Sequence, residues 1–295
     1  MSMREPISVF SLAAACALLC ALLSASCGTQ APSGPGTGLH FAVVNVGEGL
    51  SQIASSGGEA VVFDMGDTDA TPQWIEAYGR AGGPRIRDIV ISHSHVDHMG
   101  GLRNLPDSLN FSGEIVASVF EDTALIRSTC GTWASRVRFR TVAQGDTVAG
   151  PLDAFAVCVW PPRDVAVKMP IVDEFKNTYS LCFLVRYQSN TVLVTSDIDT
   201  TAEQGLAAKY GFGLASDIII VPHHGSAYSV DPVFYGYVAP SIAVISCSAD
   251  NTYGHPASNV LELLFQMHVT LYMTKSEGTV TAFTNGYYWV VQSEN

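Results

Sequence analysis

Positive charge is scarce in this chain. Its 295 residues hold 15 Lys and Arg against 27 Asp and Glu, a formal net charge of −12. Proteins that bind nucleic acid draw much of their affinity from cations that neutralise phosphates. The balance therefore excludes a protein that grips DNA through a basic stripe, although bound divalent ions would offset the deficit locally. Long apolar runs are lacking beyond residues Ile7 to Leu23, and none approaches the roughly 20 residues that span a bilayer, which excludes a transmembrane channel in this chain. The cysteines show no zinc-pair spacing, so no cysteine ligand is expected. Past Cys27 they are Cys130, Cys158, Cys182 and Cys247; three of these sit in apolar, strand-like runs and read as buried thiols, although an exported setting permits disulfides.

The N-terminus carries an address. Ile7 to Leu23 is almost wholly apolar, follows Arg4, and ends in Ser24-Ala25-Ser26 before Cys27. So short a core closed by small residues reads as a secretory signal over residues 1–26. Cleavage there would leave a cysteine that bacterial lipoprotein processing can acylate, making Cys27 a candidate membrane tether; a simple cleaved signal or an uncleaved anchor is the alternative. Gly28 to Gly38 (GTQAPSGPGTG) is a polar Gly/Pro/Ser/Thr stretch, so residues 27–38 form a flexible linker and residues 39–295 one domain. The expected location is outside the cytoplasm, in the bacterial cell envelope.

Within that domain hydrophobic content is ample for a core. Strands are read at Leu39 to Asn45, Ala60 to Phe63, Arg87 to Ile91, Ala154 to Trp160, Leu181 to Tyr187, Thr191 to Thr195, Asp217 to Val221, Ile242 to Ser246 and Thr279 to Phe283. Helices are expected at Thr71 to Arg80, Thr200 to Lys209 and Ala257 to Met267.

The chemistry is concentrated in Ser92 to Gly101 (SHSHVDHMGG), which follows a strand-like run and so sits on a loop at a strand end. Alternation along an extended loop turns His93 and His95 to one side. Asp97 and His98, adjacent in sequence, need a turn to converge on a second ion. Imidazole and carboxylate suit zinc and also manganese or iron. Asp197 ends another apolar strand, where it can bridge two ions or, alternatively, cap the following helix. His223 and His224 precede a glycine at a third strand end, a place where loops on a rigid scaffold carry sites. His255 lies in a turn-rich run (NTYGHPAS), either as a contact to substrate or metal or as a local capping residue.

These segments resemble, in order, those of the metallo-β-lactamase-fold hydrolases, and within them the hydrolase domain of DNA-uptake competence proteins of the ComEC type. The likeness is carried by VNVGEG (44–49), FDMGD (63–67), SHSHVDHMGG (92–101), VTSD (194–197), VPHHGS (221–226) and YGHP (253–256). It implies an α+β fold, an αββα sandwich of two sheets faced by helices. It also implies two divalent metal ions, zinc first and manganese second, held by His93, His95, Asp97, His98, Asp197 and His224. Asp64 and His223 are expected to support those ligands from behind. Asp97 and His255 are the candidate catalytic residues, Asp97 by steering the nucleophile.

Two departures stand out. Many relatives carry a further metal-binding histidine between the H-x-H-x-D-H loop and the bridging aspartate, whereas this chain has no histidine from residue 99 to 222. A carboxylate or amide within Asp173 to Ser180 (DEFKNTYS), His255 or water would have to fill that place. The competence-type Gly-Gln-Gly-Asp is altered to Gly47-Glu48-Gly49-Leu50.

The expected activity is hydrolysis by a metal-activated water. The leading substrate is a phosphodiester, DNA among the candidates, which makes the chain a phosphodiesterase or nuclease. A lactonase or other ester hydrolase of the same fold is the alternative among enzymes. A non-catalytic metal- or ligand-binding envelope lipoprotein is the alternative from another class. Ser92, Ser94 and Ser226 are suited to hydrogen-bonding a phosphate or to simple solvation.

Overall fold

The computed structural model describes residues 38–149, 154–165 and 172–295. The signal segment, Cys27 and the linker up to residue 37 lie outside the described residues. The strands are β1 (Leu39–Val43), β2 (Gln52–Ser56), β3 (Glu59–Phe63), β4 (Arg85–Ile91), β5 (Phe111–Ser118), β6 (Arg138–Val142), β7 (Thr147–Ala149) and β8 (Ala154–Trp160). They continue with β9 (Cys182–Tyr187), β10 (Asn190–Val194), β11 (Ile218–Ile220), β12 (Ile242–Ile245), β13 (Thr270–Met273), β14 (Val280–Thr284) and β15 (Trp289–Ser293). One sheet runs β15-β14-β1-β2-β3-β4-β5-β6 and the other β13-β12-β11-β10-β9-β8-β7.

The period-2 alternation of side chains makes this a sandwich. Along β3, Val61 and Phe63 face the space between the sheets, while Ala60 and Val62 face outward under the helix Thr71–Arg80. Along β10, Val192 and Val194 face inward, and Leu193 packs outward with Leu206 of the helix Thr200–Tyr210. Strands apolar on both faces appear in sequence as continuous runs, because each face has a layer to bury against. Phe41, Phe63 and Phe183 fill the middle, Trp74 anchors the outer layer of the first sheet, and Phe234, Val260 and Leu264 anchor that of the second. Each such side chain contributes about 1.5–3 kcal/mol on burial. The expected αββα sandwich is the observed fold. Among the described residues no helix is long and apolar enough to cross a membrane.

The helix expected at Thr71 to Arg80 forms over that span, and the other two expected helices form as Thr200–Tyr210 and Ser258–Gln266. Helices at Thr123–Thr129 and Pro232–Val238 were not expected, although each has a start signal. Asp122 accepts from the backbone N–H groups of Ala124 and Leu125, and Asp231 accepts from that of Phe234, with Pro232 opening the helix. The strands the sequence hides are β2, β5, β6, β7, β13 and β15. In β2 (QIASS) all five residues are buried, Gln52, Ser55 and Ser56 included, because pairing on both sides with β1 and β3 satisfies a backbone that local propensity does not favour.

The parallel strands β3 to β6 and β10 to β13 point one way within each sheet. The loops at the carboxyl ends of β3, β4, β10, β11 and β12 carry Asp64, residues 92–98, Asp197, His223 with His224, and residues 246–255. In open parallel sheets ligands bind at that edge. Close backbone approach joins the first two loops: a Cβ on Gly101 would press into the Met65 carbonyl oxygen and one on Gly100 into the Thr68 nitrogen, so the Gly-Gly of HMGG is a steric requirement.

One buried acid stands apart from that edge. Glu203 is fully buried, accepts a hydrogen bond from the Asp231 N–H at 2.7 Å, and has no partner for its other oxygen. Burial, with Asp231 and Asp199 nearby, pushes its pKa up to about 8. Below the unfolded value near 4.5 both states hold the proton. Between there and about 8 only the unfolded chain ionises, so stability falls as pH rises. Glu203→Gln is therefore expected to flatten the unfolding free energy over that range and to be more stable than the parent at pH 8 by about 3–5 kcal/mol. Denaturant unfolding at pH 5 and pH 8 checks this; parallel pH profiles for the two proteins would contradict it.

Candidate metal centre

Four side chains from three loops meet at one point. Asp97 and His98 come from the loop after β4, Asp197 from that after β10 and His224 from that after β11, and one ligand atom of each lies within 4.8 Å of all the others. His98 Nε2 is 3.2 Å from Asp197 Oδ1, and His224 Nε2 is 3.5 Å from both Asp197 Oδ1 and Asp97 Oδ2. His98 Nε2, His224 Nε2 and Asp197 Oδ1 are buried yet make no hydrogen bond. Unpaired buried polar atoms are costly, and three of them aimed at a common point fit a divalent cation.

The imidazoles are oriented from behind. His98 Nδ1–H donates to Asp64 Oδ2 at 2.8 Å, and His224 Nδ1–H donates to the Ser246 carbonyl at 3.0 Å, which leaves each Nε2 lone pair facing the centre. Asp64 holds more than one ligand. Its carboxylate also accepts from the Ser92 N–H (2.7 Å), the Ser92 hydroxyl (2.8 Å) and the Ser196 hydroxyl (3.0 Å), tying the ends of β3, β4 and β10 together. Asp64, Ser196, His223 and His224 all have φ between 50° and 56°. Left-handed backbone is uncommon outside glycine, and its recurrence here marks strain held at the site by surrounding structure.

Burial opposes charge on His98, yet Asp197, Asp97 and Asp64 outweigh it and hold its pKa well above the usual imidazole range. Burial likewise opposes ionisation of Asp197, but His98 and His224 hold it well below the usual carboxylate range. The field that favours a proton on His98 equally favours a divalent cation among the carboxylates. His93, fully buried and beside His98, is held neutral by burial and then by that neighbour's charge, the state a metal ligand needs.

His93 and His95 form a pair beside the four-residue group, with His93 Nε2 2.9 Å from His95 Nδ1 and the His93 ring 4.2 Å from that of His98. Of the segment offered in place of the absent histidine, Asp173 Oδ1 lies 3.5 Å from His95 Nε2, and Asn177 Nδ2 lies 3.2 Å from His223 Nε2. His223 Nε2 faces the second oxygen of Asp197 at 3.8 Å. The sequence-derived site residues are thus brought to one edge, and the four-residue group is the most closely convergent of them.

An open cavity of about 320 Å³ gives access, with Asp97, Asp197, His95, His223, His224 and His255 among its walls. Burial, then the charges of His224 and His223, push His255 down to about 4, so its ring is neutral at pH 7.

One expectation needs correction, that of the serines. Ser92 and Ser226 are buried and lie off the cavity wall; Ser92 is spent on Asp64, and Ser226 Oγ accepts from the Tyr228 N–H. Helix capping at Thr200–Tyr210 falls to Asp199, which accepts from the Ala202 N–H, so Asp197 is free of that role. Cys130, Cys158, Cys182 and Cys247 are buried free thiols. Sequence reasoning gave no role to Ser196, although it lies within VTSD, or to Ser246, because their roles depend on loops brought together from distant strands.

Comparison with known proteins agrees with this geometry. The family model described as the Metallo-beta-lactamase superfamily matches residues 50–123. Competence protein ComA of Neisseria gonorrhoeae is 27% identical over 81% of this chain, and Recombination protein 2 of Haemophilus influenzae is 24% identical over 80%. The chain spans only 31% and 28% of those relatives' lengths. Among solved structures, the metallo-beta-lactamase fold protein YhfI from Bacillus subtilis superposes with a TM-score of 0.53, at 11% identity, covering 82% of this chain and 99% of that one. Zinc-bound PqqB from Methylobacterium extorquens gives a TM-score of 0.52, at 11% identity, covering 79% and 97%. The chain has the metallo-β-lactamase fold, with a His/Asp cluster able to bind metal ions at the shared edge of its two sheets and sequence similarity to competence proteins.

Proposed function

We propose that this chain is a metal-dependent hydrolase whose substrate is a phosphodiester. The observation that carries the reading is the convergence of Asp97, His98, Asp197 and His224, with three unpaired buried ligand atoms, beside an open cavity. These four residues would hold one ion, and His93 and His95 a neighbouring one. Bound divalent ions, zinc or manganese, would lower the pKa of water and neutralise charge on the attacked centre.

The chain's own groups do the rest. Asp64 and the Ser246 carbonyl keep His98 and His224 in the tautomer that faces inward. Asp97, one-third exposed and held, against its burial, below the usual carboxylate range by His98 and His224, can steer the attacking water by accepting a hydrogen bond from it. His255, neutral at the wall, can hydrogen-bond the substrate. Within the phosphodiester class the reading favours a small diester over a long polyanion: among the described residues no Lys or Arg lines the cavity, whereas Glu48 does.

The test is metal analysis of the full chain together with hydrolysis of bis-p-nitrophenyl phosphate after zinc or manganese loading. Bound ion with turnover is expected. Turnover of a lactone panel but not of the diester would replace the substrate class, and neither bound ion nor turnover would leave a binding protein on this scaffold. The proposal extends to location: export by the signal over residues 1–26, with lipidated Cys27 as membrane tether, read from the N-terminal peptide mass of the mature protein.

A further inference from the structure

Three rings form a ladder from solvent into the metal centre. The His224 ring is stacked with His255 at 6.1 Å and 19°, and His255 with Tyr253 at 5.7 Å and 20°. Tyr253 is the outer rung, 72% exposed, and it lines the same cavity as Asp97 and Asp197. An exposed tyrosine on a loose loop would mean little. This loop is pinned: Asn251 Nδ2 donates to the Ser248 and His255 carbonyls, both at 2.8 Å, and Asn251 Oδ1 accepts from the His255 N–H at 2.8 Å. The Thr252 N–H donates to Glu48 Oε1 across the cavity mouth at 3.2 Å. The aromatic face is therefore held in place before any ligand arrives, and a preorganised face loses little on binding.

We propose that Tyr253 is a stacking platform for a nucleobase, so that the phosphodiester taken by this site is one flanked by a nucleoside. This rests on the phosphodiesterase reading of the metal centre and names its substrate class. Base stacking on an aromatic side chain tolerates sequence and needs no cationic stripe, which suits a chain of net charge −12. The rim around the platform is polar, with Glu48, Ser248 and Asn251, which fits a heteroaromatic base with hydrogen-bonding edges and not an alkyl or acyl chain.

The experiment is calorimetric binding of thymidine 5′-monophosphate, deoxyribose 5-phosphate and inorganic phosphate to the manganese-loaded full chain, in parent, Tyr253→Phe and Tyr253→Ala forms. The parent and Tyr253→Phe are expected to bind the nucleotide about 10- to 100-fold tighter than the sugar phosphate. Tyr253→Ala is expected to lose that preference while binding inorganic phosphate as before. A parent with no preference overturns the platform, as does a Tyr253→Ala variant that keeps it or that loses inorganic phosphate equally. Bis-p-nitrophenyl phosphate turnover by the parent separates the two ideas. Turnover without nucleotide preference removes the platform alone, whereas preference without turnover keeps the platform and removes the phosphodiesterase.

Discussion

Asp197→Ala is expected to abolish tight metal binding and to lower kcat/KM for bis-p-nitrophenyl phosphate by at least about 10³-fold, the loss of several kcal/mol of charge stabilisation in the transition state. The reason is its position. Asp197 presents one oxygen to both His98 and His224 and turns the other toward His223, so it is the carboxylate shared by the inward-facing imidazoles of the centre. It is also almost fully buried, and among the described residues the other carboxylate that approaches the inward-facing Nε2 atoms is the partly exposed Asp97. Metal content after dialysis and steady-state kinetics at several added metal concentrations measure the effect. A variant that retains both ion and turnover would show that Asp197 is not a metal ligand and would remove the four-residue group as the basis of the proposed function. Far-UV circular dichroism alongside guards against a loss due to unfolding.

Asp64→Asn is expected to weaken metal binding by about 10- to 100-fold without touching an ion, because the groups that orient metal ligands contribute at that level. Asparagine tolerates the left-handed backbone at this position, so the substitution isolates the carboxylate from the strain. Four donors converge on that carboxylate, from the Ser92 N–H, the Ser92 hydroxyl, His98 Nδ1 and the Ser196 hydroxyl. An amide supplies one acceptor oxygen and places two protons against the rest, leaving at least one buried donor unpaired. The metal-free protein is accordingly expected to lose about 2–3 kcal/mol of unfolding free energy. Chelator competition gives the affinity and denaturant unfolding gives the stability. Unchanged affinity with reduced stability would make Asp64 a purely structural knot, and no change in either would contradict the network itself.

The two variants separate roles that the sequence presents alike. Asp64 and Asp197 both follow an apolar strand, and nothing in their neighbours says which would reach an ion. His93, His95, Asp97 and His98 are legible as a group because their identities and spacing are local. Asp97 and His98 do turn to the same point as expected, through the short helix Val96–Met99. His223 and His224 are also legible as a pair. The family resemblance assigns His224 as the ligand and His223 as its support, and the strand end gives the geometry: consecutive left-handed residues turn His224 inward to Asp97 and His223 toward Asn177. Asn177, the one amide of the segment Asp173 to Ser180 offered in place of the absent histidine, stands at the cavity wall in contact with a residue 46 positions away.

The same division holds for the fold. Runs such as TVLVT and DIIIV declare themselves as buried strands because both faces of a sandwich layer are apolar, and three helices declare themselves by periodicity. Strands such as β2 and β6, with polar or charged residues along their length, are made by their neighbours: β2 is paired on both sides, with β1 and β3, and the edge strand β6 with β5, and that pairing is not written in their own residues. By itself the sequence determined the ligand types, the order of the strand-end loops and the layered architecture, because these depend on residue identity and short-range pattern. The tertiary structure alone decided how the residues expected from the family resemblance stand to one another, with Asp197 and His224 in the four-residue group and Asp64 behind His98, and that Tyr253 stands in line with His255. Those assignments depend on distances between loops that only the closing of the two sheets brings together.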